Sequence, residues 1–248
     1  MVQAQILYQN LLAPPASVTY SGTVVVGFDP INAYDWRDFT LFQSQAAATL
    51  VLDMASASAW SDSIVIWGPA SAGTNGVTVE QSNDGTTWTD PLVTGNMPLA
   101  NPYWFNFAFT KRYLRLTFAG AAQYRQITVG TKLTFPMGQW LDVSPPMLVQ
   151  GVVVENQISV NGSIIGRNLR RFEKTGQLSL DYLSQSWVRS VWDPFVQSAI
   201  RYPFWWRWNP VGYPTEIGFA VADSINAPKN TAPLPTMHAD MNIKFLTQ

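Results

Sequence analysis

Short segments in which apolar residues recur at every second position, closed off by glycine or proline, run through most of this chain. Met237, Ala239, Met241, Ile243 and Phe245 alternate with His238, Asp240, Asn242 and Lys244, as in a strand with one buried face. Leu114, Leu116 and Phe118 alternate with Tyr113, Arg115 and Thr117, and Val77 and Val79 with Thr78 and Glu80. Ile127, Val129, Leu133 and Phe135 keep the same period up to Pro136, and Leu178, Leu180 and Tyr182 resume it. Val24-Val25-Val26, Leu50-Val51-Leu52 and Ile64-Val65-Ile66-Trp67 add short apolar runs, the last ended by Gly68-Pro69. Asn83-Asp84-Gly85 and Asn161-Gly162 supply residues that tolerate the positive φ of tight turns. This pattern predicts a mainly β chain whose first half is a sandwich or jelly roll.

One segment has helical spacing. Trp187, Val188, Val191, Trp192, Phe195, Ala199 and Ile200 form one apolar stripe. Pro194 interrupts it, so either the helix kinks there or a new helix starts with Asp193 as N-cap. A domain boundary is expected between Pro136 and Pro146, where Met137-Gly138 and Ser144-Pro145-Pro146 break the pattern. The expected organisation is an N-terminal arm over 1–19, a jelly roll over 20–136 and a second β domain with one amphipathic helix over 137–248.

Charge is scarce. Only 12% of residues are Asp, Glu, Lys or Arg, against about 25% in an ordinary soluble domain, while 47% are hydrophobic and 11 are Trp. Such a chain offsets its ordering entropy by burial, which excludes disorder, and its low surface charge predicts association with copies of itself or a partner. A net charge of −1 gives no field to gather nucleic acid or anionic lipid. No apolar run approaches the roughly 18 residues of a membrane span, so no membrane insertion is expected. The first basic residue is Arg37, so no basic n-region precedes it, and the expectation is a soluble, unprocessed chain.

The residue types for catalysis are few. Cysteine is absent, which excludes thiolate nucleophiles, disulfides and cysteine metal sites. The single histidine, His238, has Asp240 as its evident partner on the polar face of the last strand, and reads as a solvated or interface residue. Neither a G-x-S-x-G elbow nor a phosphate-cradling glycine loop occurs. Glycoside hydrolysis needs only two carboxylates and stacking aromatics, but no carboxylate is singled out by its neighbours. The expectation is no enzyme, with no catalytic residue, no cofactor and no metal. The aromatic runs Tyr103-Trp104-Phe105 and Phe204-Trp205-Trp206-Arg207-Trp208 are either sugar platforms or packing anchors; packing is favoured for the second because it follows the helix. The basic segment from Arg167 to Lys174 reads as a solvated hairpin tip.

Two stretches resemble known families. Leu50-Val51-Leu52-Asp53, Asp62-Ser63-Ile64-Val65-Ile66-Trp67, the run from Val77 to Trp88 containing Ser82-Asn83-Asp84-Gly85-Thr86-Thr87-Trp88, and Arg112-Tyr113-Leu114-Arg115-Leu116 resemble the discoidin-like (F5/8 type C, galactose-binding-like) jelly roll. The usual "DLG" of that family reads Asp53-Met54-Ala55 here. The resemblance implies a carbohydrate-binding-like module, with Trp36 and Trp60 as the loop aromatics expected to touch host glycan. The segment Pro203 to Trp208, with Asn209-Pro210, Tyr213-Pro214 and Glu216-Ile217-Gly218-Phe219, is similar to a motif of bacteriophage tail-tip and distal tail proteins. That second resemblance implies a tail-tube-like, ring-forming domain. The expected function is a structural virion protein at the distal tail or baseplate, joining the tail tube to the tail tip, hub and receptor-binding proteins. The expected assembly is a homo-oligomeric ring, hexameric in preference to trimeric, with DNA only as cargo through its lumen. It would be put together in the host cytoplasm and end in the virion. The alternative is a carbohydrate-binding adhesion module; a glycoside hydrolase ranks below both.

Overall fold

A computed structural model describes residues 3–12, 17–55, 61–68, 75–88, 91–97, 101–136, 140–143, 145, 151–231 and 236–246. The chain is mainly β. A five-stranded antiparallel sheet is ordered Ser17–Ser21, Ala48–Asp53, Tyr113–Phe118, Asn75–Ser82, Val93–Met97. It faces a three-stranded sheet ordered Gln126–Gly130, Ser63–Trp67, Tyr103–Asn106. Leu50, Leu52, Val77, Val79, Leu114, Leu116 and Phe118 from the first sheet meet Ile64, Ile66, Ile127 and Val129 from the second in one buried core. This is the expected sandwich, and its strands alternate because one face is buried and the other is wet.

The second half builds a larger sheet. Its order is Leu133–Thr134, Gln5–Leu7, Phe204–Arg207, Ile217–Ile225, Thr236–Phe245, Thr175–Ser184, Trp140–Val143, with Lys229–Thr231 also paired to Thr236–Phe245. The sheet is two-faced. Ile6, Leu178, Leu180, Phe204, Trp206, Ala239, Met241 and Ile243 lie in a core shared with helix residues Val188, Trp192, Phe195 and Ala199. Leu7, Trp205, Ile217 and Phe219 point the other way, onto Val65, Trp67 and Trp104 of the three-stranded sheet. The three-stranded sheet is thus covered on both sides, and Ser63–Trp67 and Gln126–Gly130 are buried at every position.

The first nineteen residues, read as an arm, supply strands to both sheets. Gln5–Leu7 lies inside the large sheet, with Gln5 opposite Thr134 and Arg207. Ser17–Ser21 forms an edge of the five-stranded sheet. Between them the chain is tied to the sandwich. Leu11 donates its N–H to the Val129 carbonyl at 2.8 Å, and the Asn10 side chain bonds the Ile127 carbonyl and the Val129 N–H. A Cβ on Gly130 would stand 2.5 Å from the Gln9 carbonyl oxygen, so only glycine permits this approach.

The helix rules out one reading of Pro194, a new helix capped by Asp193. Asp193 has φ −61 and ψ −47, so it is helical and no N-cap, and the backbone stays helical from residue 185 to 199. The segment Val188–Trp192 widens to a π turn just before the proline. That wide turn accommodates a residue that cannot donate to the preceding turn. Ser184 caps the start, its hydroxyl accepting from the Trp187 N–H at 3.2 Å. Ile200, read as part of the apolar stripe, lies beyond the helix and is 63% exposed.

Gly151–Ile158 and Ile164–Glu173 form a long hairpin that pairs with no other strand among the described residues. Asn161-Gly162 lies at the tip as expected, with Gly162 at φ 79. The basic segment, however, lies along the returning strand, and the tip is residues 159–163. Register places Val152, Val154, Asn156, Ile158, Ile164, Arg167 and Leu169 on one face of the ribbon and Val153, Glu155, Gln157 and Asn168 on the other. The apolar side chains of the first face stand open to solvent: Val152, Ile158, Ile164 and Leu169 are all more than half exposed.

Candidate functional site

The outer face of the five-stranded sheet gathers charged and aromatic side chains from strands far apart in sequence. Ser17, Asp53, Tyr113 and Ser82 stand opposite one another in one row across four strands. Thr19, Val51, Arg115 and Glu80 form the next row on the same face. A third row, Ser21, Thr49, Thr117, Thr78 and Thr94, crosses all five strands with hydroxyls. Period-two alternation causes this: each apolar residue sent into the core puts a polar neighbour outside.

Two ion pairs stiffen the first two rows. Arg112 clasps Asp53 in a two-point contact, Nε to Oδ1 at 2.7 Å and Nη2 to Oδ2 at 2.8 Å. Arg115 Nε donates to Glu80 Oε2 at 2.9 Å. Each guanidinium also lies over a ring, Arg112 at 4.8 Å from the Tyr113 centroid and Arg115 at 4.2 Å from Trp88. The Arg112 hydrogen bonds hold the Asp53 carboxyl below the usual carboxylate range, although the partial burial of the site opposes this. Asp53 Oδ1 also accepts the Ala55 N–H at 2.8 Å, where the chain turns with Ala55 at φ 60.

The turn after Asn75–Ser82 closes the patch. Asp84 Oδ1 accepts from the Thr87 N–H at 2.8 Å, the Thr86 N–H at 2.9 Å and the Ser82 hydroxyl at 2.8 Å. These donors, the Thr87 and Thr86 amides first, hold its carboxyl far below the ordinary range. Gly85, at φ 73, lays the turn against the Tyr113 ring; a Cβ there would lie 3.5 Å from it. Asp53 and Asp84 are therefore fixed anions at neutral pH: they accept hydrogen bonds and cannot act as general acids.

Of the two sequence-predicted glycan residues, the structure describes Trp36 alone. Trp36 is half-buried at the joint between the sandwich and the large sheet, at φ 65. Its ring stacks 6.3 Å from Phe219 and 6.4 Å from Tyr202, so its neighbours are protein rings. Trp60 lies outside the described residues. The Phe204 to Trp208 run is packing, as expected, with Phe204, Trp205 and Trp206 fully buried. Trp104 of the other run is buried at the joint, while Tyr103 and Phe105 form a tilted, half-buried pair.

His238 has a partner that the sequence pattern missed. Its Nδ1 lies 2.6 Å from Asp181 Oδ1, and its Nε2 lies 3.5 Å from Asp240 Oδ1. A bulge between Leu180 and Leu183 inserts Asp181 and Tyr182, with Tyr182 at φ 57, and aims Asp181 across the ladder. Among the described residues no group of three or more His, Asp or Glu is arranged to hold a metal ion, and no helix is long and apolar enough to cross a membrane.

No family of known proteins matches the chain, and no curated protein does. Several solved structures are similar to about half of it. The carbohydrate-binding module CBM32-1 from a family 31 glycoside hydrolase of Clostridium perfringens is 14% identical, with a TM-score of 0.41; the match covers 47% of this chain and 94% of that one. A pectin-binding carbohydrate-binding module is 21% identical, with a TM-score of 0.40, over 46% of this chain and 88% of that one. Chitosan-binding module 1 from a Paenibacillus chitosanase/glucanase is 20% identical, with a TM-score of 0.40, over 49% of this chain and 98% of that one.

Proposed function

We propose that the chain is a non-catalytic carbohydrate-binding adhesion subunit, whose jelly roll presents the outer face of its five-stranded sheet to a sugar. One observation carries this reading. Asp53–Arg112–Tyr113 and Glu80–Arg115–Trp88 lie in adjacent rows of one face, each a fixed carboxylate and guanidinium beside a ring. Sugars offer vicinal hydroxyls to planar charged groups and C–H faces to aromatic rings, and a pre-ordered set of both binds without the cost of ordering it. The fixed anionic state of Asp53 and Asp84 suits acceptance of hydroxyl donors.

A glycan array with the whole chain, followed by titration of the best sugar against Arg112→Ala, Trp88→Ala and Trp60→Ala, tests this reading. Loss of one charged and one stacking contact weakens binding at least tenfold in each of the first two variants. A full retention of affinity in both, or no sugar bound at millimolar concentration, overturns it. An effect confined to Trp60→Ala would shift the site to the loop aromatics.

The hairpin favours a second reading, a structural ring protein of a bacteriophage tail. An isolated two-stranded ribbon is at best marginally stable in water, and this one exposes Val152, Ile158, Ile164 and Leu169 along a single face. Closure around an axis covers such faces, in a hexamer or a trimer, and brings in tail tube and tip proteins as neighbours and DNA as cargo. Sedimentation velocity of the wild type and of Ile158→Lys with Ile164→Lys decides it. A ring that falls to monomer in the variant supports the reading, and a wild-type monomer at all concentrations up to hundreds of micromolar refutes it.

A further inference from the structure

The apolar face of the hairpin carries one charge among its described side chains. That charge is Arg167, which is exposed and forms no ion pair with a described residue. Glu155, on the other face, is held by Arg170. Residues 151–174 as a whole hold four cations, Arg167, Arg170, Arg171 and Lys174, against Glu155 and Glu173. Hairpin packed on hairpin about a two-fold axis therefore buries the apolar side chains but offers Arg167 no anion. A surface that answers this face must present apolar groups beside a free carboxylate.

Residues 25–43 present such a surface. This loop doubles back on itself: the Phe28 carbonyl accepts from the Gln43 N–H at 3.2 Å, and Asn32 Nδ2 donates to the Leu41 carbonyl at 2.9 Å. Its two limbs thus lie side by side, with Ile31 next to the Asn32–Leu41 tie and Phe39 two residues from it. Val26 stands in the turn that the Phe28 N–H closes on the Val25 carbonyl at 3.0 Å, where Gly27 has φ 87. Val26, Ile31 and Phe39 are all more than half exposed. The loop holds three carboxylates to one cation, Asp29, Asp35 and Asp38 against Arg37. Asp35 is taken by the Thr40 hydroxyl at 3.0 Å and the Arg37 N–H at 2.9 Å. The carboxylates of Asp29 and Asp38 bond to no described residue, and Asp29 is exposed. Elsewhere the acids beside exposed apolar groups are engaged: Glu216, near Tyr213, by Trp208, and Asp181, near Tyr182, by His238. The loop is also fixed before any partner arrives. Trp36 stacks on Tyr202 and Phe219, and Arg125 Nη1 donates to the Asp38 carbonyl at 3.0 Å.

We infer that the apolar face of the hairpin docks on the 25–43 loop of a second copy, with Arg167 facing the Asp29 and Asp38 carboxylates of that copy. This rests on the ring reading of the hairpin and names the surface that receives it. Because the two patches differ, the contact is head-to-tail, and it closes into a ring or runs on as a filament according to the rotation between copies.

Sedimentation velocity of the whole chain tests this, with circular dichroism to show that each variant keeps the wild-type fold. Arg167→Glu, and Asp29→Lys with Asp38→Lys, each weaken self-association at least about tenfold, and the three changes combined in one chain restore it. Ile158→Lys with Ile164→Lys disables the hairpin, and Ile31→Lys with Phe39→Lys disables the loop; each variant alone is monomeric. Mixed in equal amounts the two stop at a dimer, because each pair retains one intact hairpin and one intact loop. Wild type that associates while the loop variants associate equally well overturns the inference and leaves the ring reading standing, with the hairpin docked elsewhere. A mixture that stays monomeric overturns it in the same way. A wild-type monomer at all concentrations refutes the ring reading, and this docking with it.

Discussion

Trp205 joins the two halves of the molecule, and its removal should separate them. The side chain is fully buried on the sandwich-facing side of the large sheet. Its ring centroid lies 4.6 Å from Phe219 and 6.0 Å, edge-on, from Trp67, and its Nε1 donates to Thr128 Oγ1 at 2.9 Å. Truncation to alanine loses about 3–5 kcal/mol from burial and the cavity left behind. The bond to Thr128 adds about 1 kcal/mol, and the stranded hydroxyl somewhat more. The total is comparable with the whole stability of many domains, about 5–15 kcal/mol. Wild type should therefore unfold in one transition, and Trp205→Ala in two, with the large sheet melting first. Calorimetry, together with urea unfolding followed by tryptophan fluorescence and circular dichroism, reads this directly. Trp205→Phe keeps a ring and should cost about 1–2 kcal/mol. A cycle with Thr128→Val should return a coupling of about 1 kcal/mol. A Trp205→Ala protein with a single transition and a loss below about 1 kcal/mol would refute the view that this contact unites the halves.

Three other perturbations follow from the geometry. The Asp53 carboxyl titrates below its ordinary range when folded, so its contribution is complete above about pH 4 and is lost as pH falls through the depressed pKa; a Tm series from pH 7 to 2 should show a shallower acid limb in Asp53→Asn than in wild type. Gly130→Ala sets a methyl 2.5 Å from the Gln9 carbonyl oxygen, and should cost about 1–3 kcal/mol in urea unfolding as the N-terminal segment lifts off its strand. Tyr182 adopts a left-handed φ of 57 with its side chain 54% exposed, so Tyr182→Gly should leave stability equal or raise it by up to about 1 kcal/mol, and a clear loss would mean that the ring is doing packing work.

Periodicity made the main lines of the fold legible. The alternation from Met237 to Phe245 reads directly as a strand buried on one face. The unbroken run Ile64-Val65-Ile66-Trp67 encodes a strand covered on both faces, with Ile64 and Ile66 in the sandwich core and Val65 and Trp67 at the joint. The same logic separates Phe204 and Trp206 from Trp205. Long-range pairing left no such trace. Gln5–Leu7 is too short to show a period, and one of its two partners lies about 200 residues away. Trp36 looked like a free loop aromatic because Tyr202 and Phe219, which stack on it, are remote in sequence. The patch was half visible: Arg112, Tyr113 and Arg115 occur together in the discoidin-like motif, but the 59-residue separation of Asp53 and Arg112 hid their pairing. The bulge at Asp181 and Tyr182 and the π turn before Pro194 are local departures from regular geometry, and no composition rule marks them.

The placement of Gln5–Leu7 imposes an order on biosynthesis. Its neighbour Phe204–Arg207 leaves the ribosome about 200 residues later, a delay of roughly 10–40 s at ordinary elongation rates. During that interval the sandwich has all its strands and can close, while the short N-terminal strand waits with an open edge. Vectorial synthesis therefore makes the jelly roll a template on which the later sheet docks. A nascent chain stalled before residue 204 should already protect the amides of Ala48–Asp53 from exchange, while those amides of Gln5–Leu7 that bond to Phe204–Arg207 remain labile.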